Sequence, residues 1–208
     1  MLYIKPDIFG LFRVTLVGVA VSLAPAHSSD LVFSHRVEAA LTALQRSGDP
    51  IISELCIAVA QAPADVSIRP ITDDRSTWHA DGDRTRAHTE PADSRPKSAG
   101  RDKPAAAIVF LPPEAVDQRS SRWKDGTFVH ELVHALDLSS GRYDRDVTVR
   151  ERRAVFMQNV WRAHLGHKLR ADYHGQFATL DYQEAARRGV VSEIARYILT
   201  RSDFPPPR

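Results

Sequence analysis

The sequence predicts one α+β domain over residues 31–208, and three observations support this fold class. The chain of 208 residues can bury one hydrophobic core but is too short for two independent domains. Two short segments have the pattern of β-strands. Several longer segments place apolar residues at helical spacing and end in residues that stop helices.

The first predicted elements are a helix, an ambiguous segment and a strand. In residues 31–45 apolar residues recur at helical spacing, and a Gly-Asp-Pro sequence at 48–50 ends the pattern, so we expect a core-facing helix. The apolar run at 51–60 is compatible with a helix or a buried strand, and its periodicity does not decide between them. Residues 66–71 alternate between apolar and polar side chains, which favours a strand.

Residues 72–104 differ in composition from the rest of the chain. They contain seven acidic and seven basic residues, and Trp78 is their only large apolar side chain. Such a segment has too little apolar surface to offset the entropy lost on ordering. We therefore expect a mobile surface loop.

The second half of the chain predicts one strand followed by helices. Residues 105–111 end in a continuous apolar run that is stopped by two prolines, as in a buried strand. Residues 125–127 can cap a helix that continues to Asp137. Further helices are expected at 150–165, closed by a glycine, and at 191–200.

Overall composition excludes several classes of protein. Hydrophobic residues make up 43% and charged residues 26%, as in ordinary globular proteins rather than disordered or fibrous ones. A net charge of +2 is too small to indicate nucleic-acid or acidic-membrane partners. The single cysteine, Cys56, has no partner for an internal disulfide, and we interpret it as a core thiol.

Residues 1–30 have the outline of an export or targeting segment. Lys5 and Arg13 precede an apolar run at 14–24, which is followed by an Ala-Pro-Ala sequence and polar residues. An amphipathic N-terminus is the alternative, and the pattern does not separate the two. The apolar run is shorter than the roughly 20 residues of a membrane-spanning helix, so no stable membrane insertion is expected.

The sequence HELVH at 130–134 carries the strongest functional pattern. His130 and His134 are one helical turn apart, so both imidazoles project from the same side and can share a metal ion. The carboxylate of Glu131 can take a proton from a water that the metal acidifies and pass it to a leaving amine. The alternative is an ordinary amphipathic helix with surface histidines. An apolar stripe on the same helix predicts a core face separate from the ligand face; it consists of Val129, Leu132, Val133 and Leu136.

Zinc is the expected metal, because paired imidazoles with one carboxylate suit a four-coordinate zinc site better than iron or manganese. A catalytic zinc needs a third protein ligand. The extended pattern with a third histidine is excluded, because Ser140 occupies that position. Three downstream glutamates remain on predicted helices, Glu151, Glu184 and Glu193, and Glu151 is the nearest.

Two stretches, HELVHALDLSSG at 130–141 and RERRAVFMQNVWRAHLGHKLRADY at 150–173, together resemble a known family. They are similar to the zinc metallopeptidase effectors that bacterial pathogens inject through type III secretion, the NleD- and XopG-like group. The site of that group is in turn similar to the site of clostridial neurotoxin light chains.

The resemblance implies a zincin-like metallopeptidase domain in which Glu151 is the third zinc ligand. It also implies that Arg170 and Tyr173 face the scissile carbonyl. The alternative interpretation of these two residues is a solvated arginine and an amphipathic tyrosine at a loop edge. The implied function is a zinc-dependent endopeptidase, secreted and delivered into a host cell as a virulence factor, with a host protein as substrate.

Three further expectations concern the surroundings of this site. Asp137 lies one turn beyond His134 and is a candidate to accept a hydrogen bond from a ligand imidazole, or else an ordinary surface aspartate. The strand at 105–111 is expected to form the edge of the substrate cleft. There are two alternatives to the effector. One is an exported peptidase of the bacterial envelope. The other is a zinc-containing binding module without catalysis, and the presence of Glu131 argues against this second alternative.

Overall fold

The computed structural model describes residues 3–6, 12–16, 19–23, 28–83, 85–92, 103–170 and 178–201, and it confirms the α+β class. Within these ranges there are seven α-helices: α1 (Ser28–Gln45), α2 (Pro50–Ala60), α3 (Ser121–Lys124), α4 (Thr127–Ser139), α5 (Val147–His164), α6 (Ala178–Arg187) and α7 (Val191–Thr200). The predicted helices at 31–45, 150–165 and 191–200 are thereby confirmed, and the ambiguous segment at 51–60 is helical. None of the described helices combines the length and the apolar character that crossing a membrane requires.

A small three-stranded sheet lies beside these helices. Its strands are β4 (Val66–Pro70), β5 (His88–Pro91) and β6 (Ala107–Leu111). β6 is parallel to β4 and antiparallel to β5, and all five residues of β6 are buried. The predicted strands at 66–71 and 105–111 are confirmed. Three N-terminal strands, β1 (Tyr3–Pro6), β2 (Phe12–Leu16) and β3 (Val19–Leu23), extend the sheet on the β4 side. β3 pairs with β4, and the full strand order is β1-β2-β3-β4-β6-β5.

The edge of the sheet differs from the prediction. β6 lies between β4 and β5, so β5 forms the edge that was predicted for residues 105–111. The expectation that 72–104 is a loop is also wrong in part, because β5 and a short 3₁₀ helix (Arg75–Thr77) fall within it. Pairing with β6 provides the main-chain hydrogen bonds that compensate the ordering entropy of β5. Trp78 packs on a small cluster formed by Ile71, Ile108 and Phe110.

Helix α4 lies at the centre of the domain. It packs against α5, α2, β6 and β5, and every residue from Phe128 to Ser139 is buried. The predicted core face of α4 is buried, and its ligand side is buried as well, because the sheet and α5 pack against the helix. The targeting role expected for residues 1–30 stays a prediction.

The start of α4 is a close contact with α5. Gly126 is the N-cap of α4 in the left-handed region (φ 74°), and no side chain caps the helix, which corrects the cap predicted at 125–127. A Cβ at Gly126 would lie 3.1 Å from both Gln158 Cγ and Trp161 Cδ1 of α5. Glycine thus permits both the turn and the approach of α5 to the first turn of α4.

Candidate metal centre

Three potential ligands converge between α4 and α5. The Nε2 atoms of His130 and His134 are 3.1 Å apart. One carboxylate oxygen of Glu151 lies 3.1 Å from Nε2 of His130, and the other lies 3.3 Å from Nε2 of His134. Within the described ranges these residues form the one cluster of histidine, cysteine or acidic side chains with metal-binding spacing. The structure therefore brings Glu151 to the histidines.

The spacing of these atoms fits a four-coordinate zinc ion. Ligand atoms bonded at ~2.05 Å to a tetrahedral zinc are separated by about 3.3 Å, and the three observed separations are close to this value. Glu151 Oε2 is buried, and the contact it makes is with Nε2 of His130 at 3.1 Å, an atom that donates only when it carries a proton. A cation between the three side chains would compensate the burial of this carboxylate.

Gln158 of α5 orients His130. Its Oε1 lies 3.3 Å from Nδ1 of His130, while its Nε2 donates to the carbonyl oxygen of Asp125 at 2.6 Å. The amide orientation set by Asp125 makes Oε1 an acceptor, so Nδ1 of His130 carries the proton. In the neutral imidazole the lone pair is then on Nε2, the atom that lies beside His134 and Glu151.

Asp137 has a role different from the predicted one. Its carboxylate receives two hydrogen bonds from Arg153, at 3.1 and 2.8 Å, and both side chains are fully buried. Arg153 also donates to the carbonyl oxygen of Ile198 in α7. Asp137 therefore joins α4 to α5, whereas Nδ1 of His134 is buried without a hydrogen-bond partner among the described residues.

The three potential ligands shift one another's pKa values. Burial alone would raise the pKa of Glu151, but hydrogen bonds to His130 and His134 and the charges of those histidines hold this pKa far below its usual range. Burial lowers the pKa of His134, but the hydrogen bond and charge of Glu151, and the charges of Glu131 and Asp137, outweigh it and leave this pKa raised.

Glu131 is held next to the ligands by the edge strand. The hydroxyl of Thr89 in β5 donates to Oε2 of Glu131 at 2.8 Å and also lies 3.3 Å from its carbonyl oxygen. Glu131 is 5% exposed, so its carboxylate is shielded from bulk water. This contact orients the carboxylate, and sequence reasoning missed Thr89 because it lies in the polar stretch expected to be a loop.

An open pocket of about 390 Å³ leads to these groups. Besides the three ligands and Glu131, its walls contain residues of the segment around β5 and of the region before and within the first turn of α5. These are His79, Arg86, Ala87, His88, Thr89, Tyr143, Val147 and Arg150. None of them was predicted as a site residue, because no local pattern marks them.

The remaining predicted residues lie apart from the ligands or outside the described residues. Arg170 donates from NH1 to Oε1 of Gln158 at 2.9 Å, the same oxygen that lies beside Nδ1 of His130. Its predicted contact with a scissile carbonyl stays a prediction, and Tyr173 lies outside the described residues. Of the two other candidate ligands, Glu184 pairs with Arg187, and Glu193 is exposed on α7. Cys56 is half-buried against the core, where burial raises the pKa of its thiol to about 12.

Comparison with other proteins identifies no relative of this chain. The chain has no match among models of protein families, among curated proteins or among solved structures. The functional conclusion therefore depends on the HELVH pattern and on the geometry of the site.

Proposed function

We propose that this protein is a zinc-dependent endopeptidase with a zincin-like fold, in which His130, His134 and Glu151 bind zinc. The observation that carries the proposal is the convergence of two imidazoles and one carboxylate at zinc-ligand spacing in an open pocket that also contains Glu131. Three protein ligands leave one coordination position available, as in catalytic zinc sites, whereas structural sites use four protein ligands.

Zinc bound here would polarise the substrate carbonyl and lower the pKa of water in the site. Glu131 takes a proton from the attacking water as the water oxygen bonds to the carbonyl carbon. Glu131 then gives this proton to the amide nitrogen as the carbon–nitrogen bond breaks. Thr89 keeps the carboxylate in one orientation during both transfers, because it holds Oε2.

The edge of the sheet supports a peptide substrate. β5 is the last strand in the sheet order, and its residues His88 and Thr89 line the pocket. An extended peptide can add to such an edge through main-chain hydrogen bonds, which would bring its backbone towards the metal ligands. β5 takes over the role that the sequence suggested for residues 105–111.

The resemblance of residues 130–173 to type III effectors supports a host protein as substrate and delivery into the host cell as the route. It also supports Arg170 and Tyr173 as groups that stabilise the negative charge on the carbonyl oxygen. An envelope or exported peptidase is the second candidate, and the signal-like pattern of residues 1–30 favours it. The mass of the mature N-terminus in the producing cell separates the two, because only the exported form would lose that segment.

The test combines metal analysis with a peptide-cleavage screen. We expect about one zinc per purified chain, and cleavage that ceases in Glu131→Gln while the fold and the zinc content are kept. Glu193→Gln, an exposed glutamate outside the pocket, is the matched control and should cleave like the parent. Cleavage that persists in Glu131→Gln would overturn the mechanism. A zinc-loaded parent that cleaves nothing would instead indicate a binding module.

A further inference from the structure

Arg150 forms part of the wall of the metal pocket, next to the ligand Glu151 in the first turn of α5. We propose that Arg150 binds a carboxylate of the substrate, which makes the protein selective for peptides with an acidic group close to the scissile bond. Two sources supply this chemistry, an aspartate or glutamate side chain and the C-terminal carboxylate of a peptide. The inference rests on the proposed peptidase function, but the carboxylate site can be tested without hydrolysis.

Local contacts hold the guanidinium of Arg150 in place before any ligand arrives. Its NH1 donates to the carbonyl oxygens of Asp144 at 2.6 Å and Arg145 at 3.2 Å. Its Cζ lies 4.3 Å from the centre of the Tyr143 ring. A planar guanidinium stacked and held in this way loses little freedom when it binds, so the binding of an anion is favoured.

The neighbouring arginines show what is different about Arg150. Arg152 pairs with Asp181 and Arg153 pairs with Asp137, each through two hydrogen bonds. Among the described residues, Arg150 makes its hydrogen bonds to carbonyl oxygens, and no carboxylate of these ranges forms an ion pair with it. Its preferred bidentate partner, a carboxylate, is therefore left for a ligand.

The charge balance of the pocket favours the same ligand. The two positive charges of a zinc ion, when bound, would be offset by the carboxylates of Glu131 and Glu151. The charge of Arg86, which also lines the pocket, is offset by Asp81 at 3.1 Å. The charge of Arg150 remains among the residues that line the pocket, whereas the positive end of the α5 dipole is offset by the carboxylate of the N-cap residue Asp146. A substrate carboxylate would neutralise the charge of Arg150 in a partly enclosed pocket, where electrostatic attraction is stronger than in water.

The first experiment measures binding without hydrolysis. Zinc-loaded Glu131→Gln protein is titrated into fluorescein-labelled octapeptide pools, capped at both ends, in which one position is fixed as Glu, Gln or Lys. At the position that reaches Arg150 we expect the Glu pool to bind about tenfold more tightly than the Gln pool, and the Lys pool to bind more weakly than both. A parallel pool with a free C-terminal carboxylate identifies the source: a gain that requires this free carboxylate, and not an internal Glu, assigns the site to peptide C-termini.

Variants then assign the preference to Arg150. In the same background, Arg150→Gln should reduce the Glu-over-Gln preference to about twofold or less, and Arg150→Glu should favour the Lys pool. Arg150→Lys should keep a reduced preference for Glu, because it retains the charge and loses the bidentate geometry. Arg196→Gln is the matched control, since Arg196 is an exposed arginine of α7 paired with Glu54. It should bind like its parent.

Each outcome supports or overturns the inference. Equal binding of the Glu, Gln, Lys and free-carboxylate pools overturns it, as does a Glu preference that survives in Arg150→Gln. Zinc content and circular dichroism monitor the fold of each variant, and the preference of the parent background tests the proposal even if one variant does not fold. An acidic preference in binding without cleavage by the wild-type protein would refute the peptidase function alone. Cleavage without any acidic preference would refute the carboxylate site alone.

Discussion

The buried pair of Asp137 and Arg153 allows a stability prediction whose size follows from the structure. Asp137→Asn keeps the shape of the side chain but removes the charge that compensates Arg153. The Asp137 side chain is 1% exposed and that of Arg153 is 0% exposed, and the pair has two hydrogen bonds. Leaving one partner of such a pair buried and uncompensated costs about 3–5 kcal/mol.

Urea denaturation of the zinc-free protein is the appropriate assay, because bound zinc would add a concentration-dependent term to the free energy of unfolding. For a chain of this size the loss corresponds to a fall of the melting temperature by about 6–20 °C. Asp181→Asn is the control. It releases Arg152, whose side chain is 31% exposed, so the loss should be about 1 kcal/mol or less.

A double variant tests the physical reason. Asp137→Leu combined with Arg153→Met removes both charges, so it should be more stable than either single charge removal, because no buried ion is left without a partner. If Asp137→Asn lowers the free energy of unfolding no more than Asp181→Asn does, burial does not determine how much the Asp137–Arg153 pair contributes to stability, and the reasoning is refuted.

Three further predictions concern the site itself. Thr89→Val removes the hydroxyl that orients Glu131, so turnover should fall about tenfold with unchanged zinc content; unchanged kinetics would exclude this role. Gln158→Leu removes the acceptor of the His130 Nδ1 proton, and a competition assay with a zinc chelator should show an affinity reduced about 10- to 100-fold. Zinc affinity should also fall as the pH is lowered, because the raised pKa of His134 lets a proton compete with zinc from a higher pH than the ordinary 6.5. In the zinc-free protein, the stability gained from protonated His134 is fully present below pH ~6.5 and is lost as the pH rises through the raised pKa. If neither the zinc affinity nor the free energy of unfolding changed with pH in this range, the raised pKa of His134 would be contradicted.

Local patterns were sufficient for the parts of the protein that depend on short sequence distances. The helical spacing of His130 and His134 follows from one turn of α4, so it could be predicted before any tertiary contact was known. The strands at 66–70 and 107–111 and most helices were predictable for the same reason. Where local patterns were wrong, a distant partner decided the outcome: Asp137 pairs with Arg153 sixteen residues away, and β5 is ordered by β6.

Local sequence patterns were enough to predict the α+β class, the two imidazoles on one helix and the neighbouring carboxylate of Glu131. Residue types left Glu151, Glu184 and Glu193 open as partners, and the family resemblance favoured Glu151. The packing of α5 on α4 places Glu151 beside the histidines. Tertiary structure also decided that Gln158, Thr89 and Arg150 surround the ligands. Helical periodicity depends on residues that are neighbours in the sequence. A metal site and its supporting hydrogen bonds depend instead on side chains that come within a few ångströms of one another only when the core is packed.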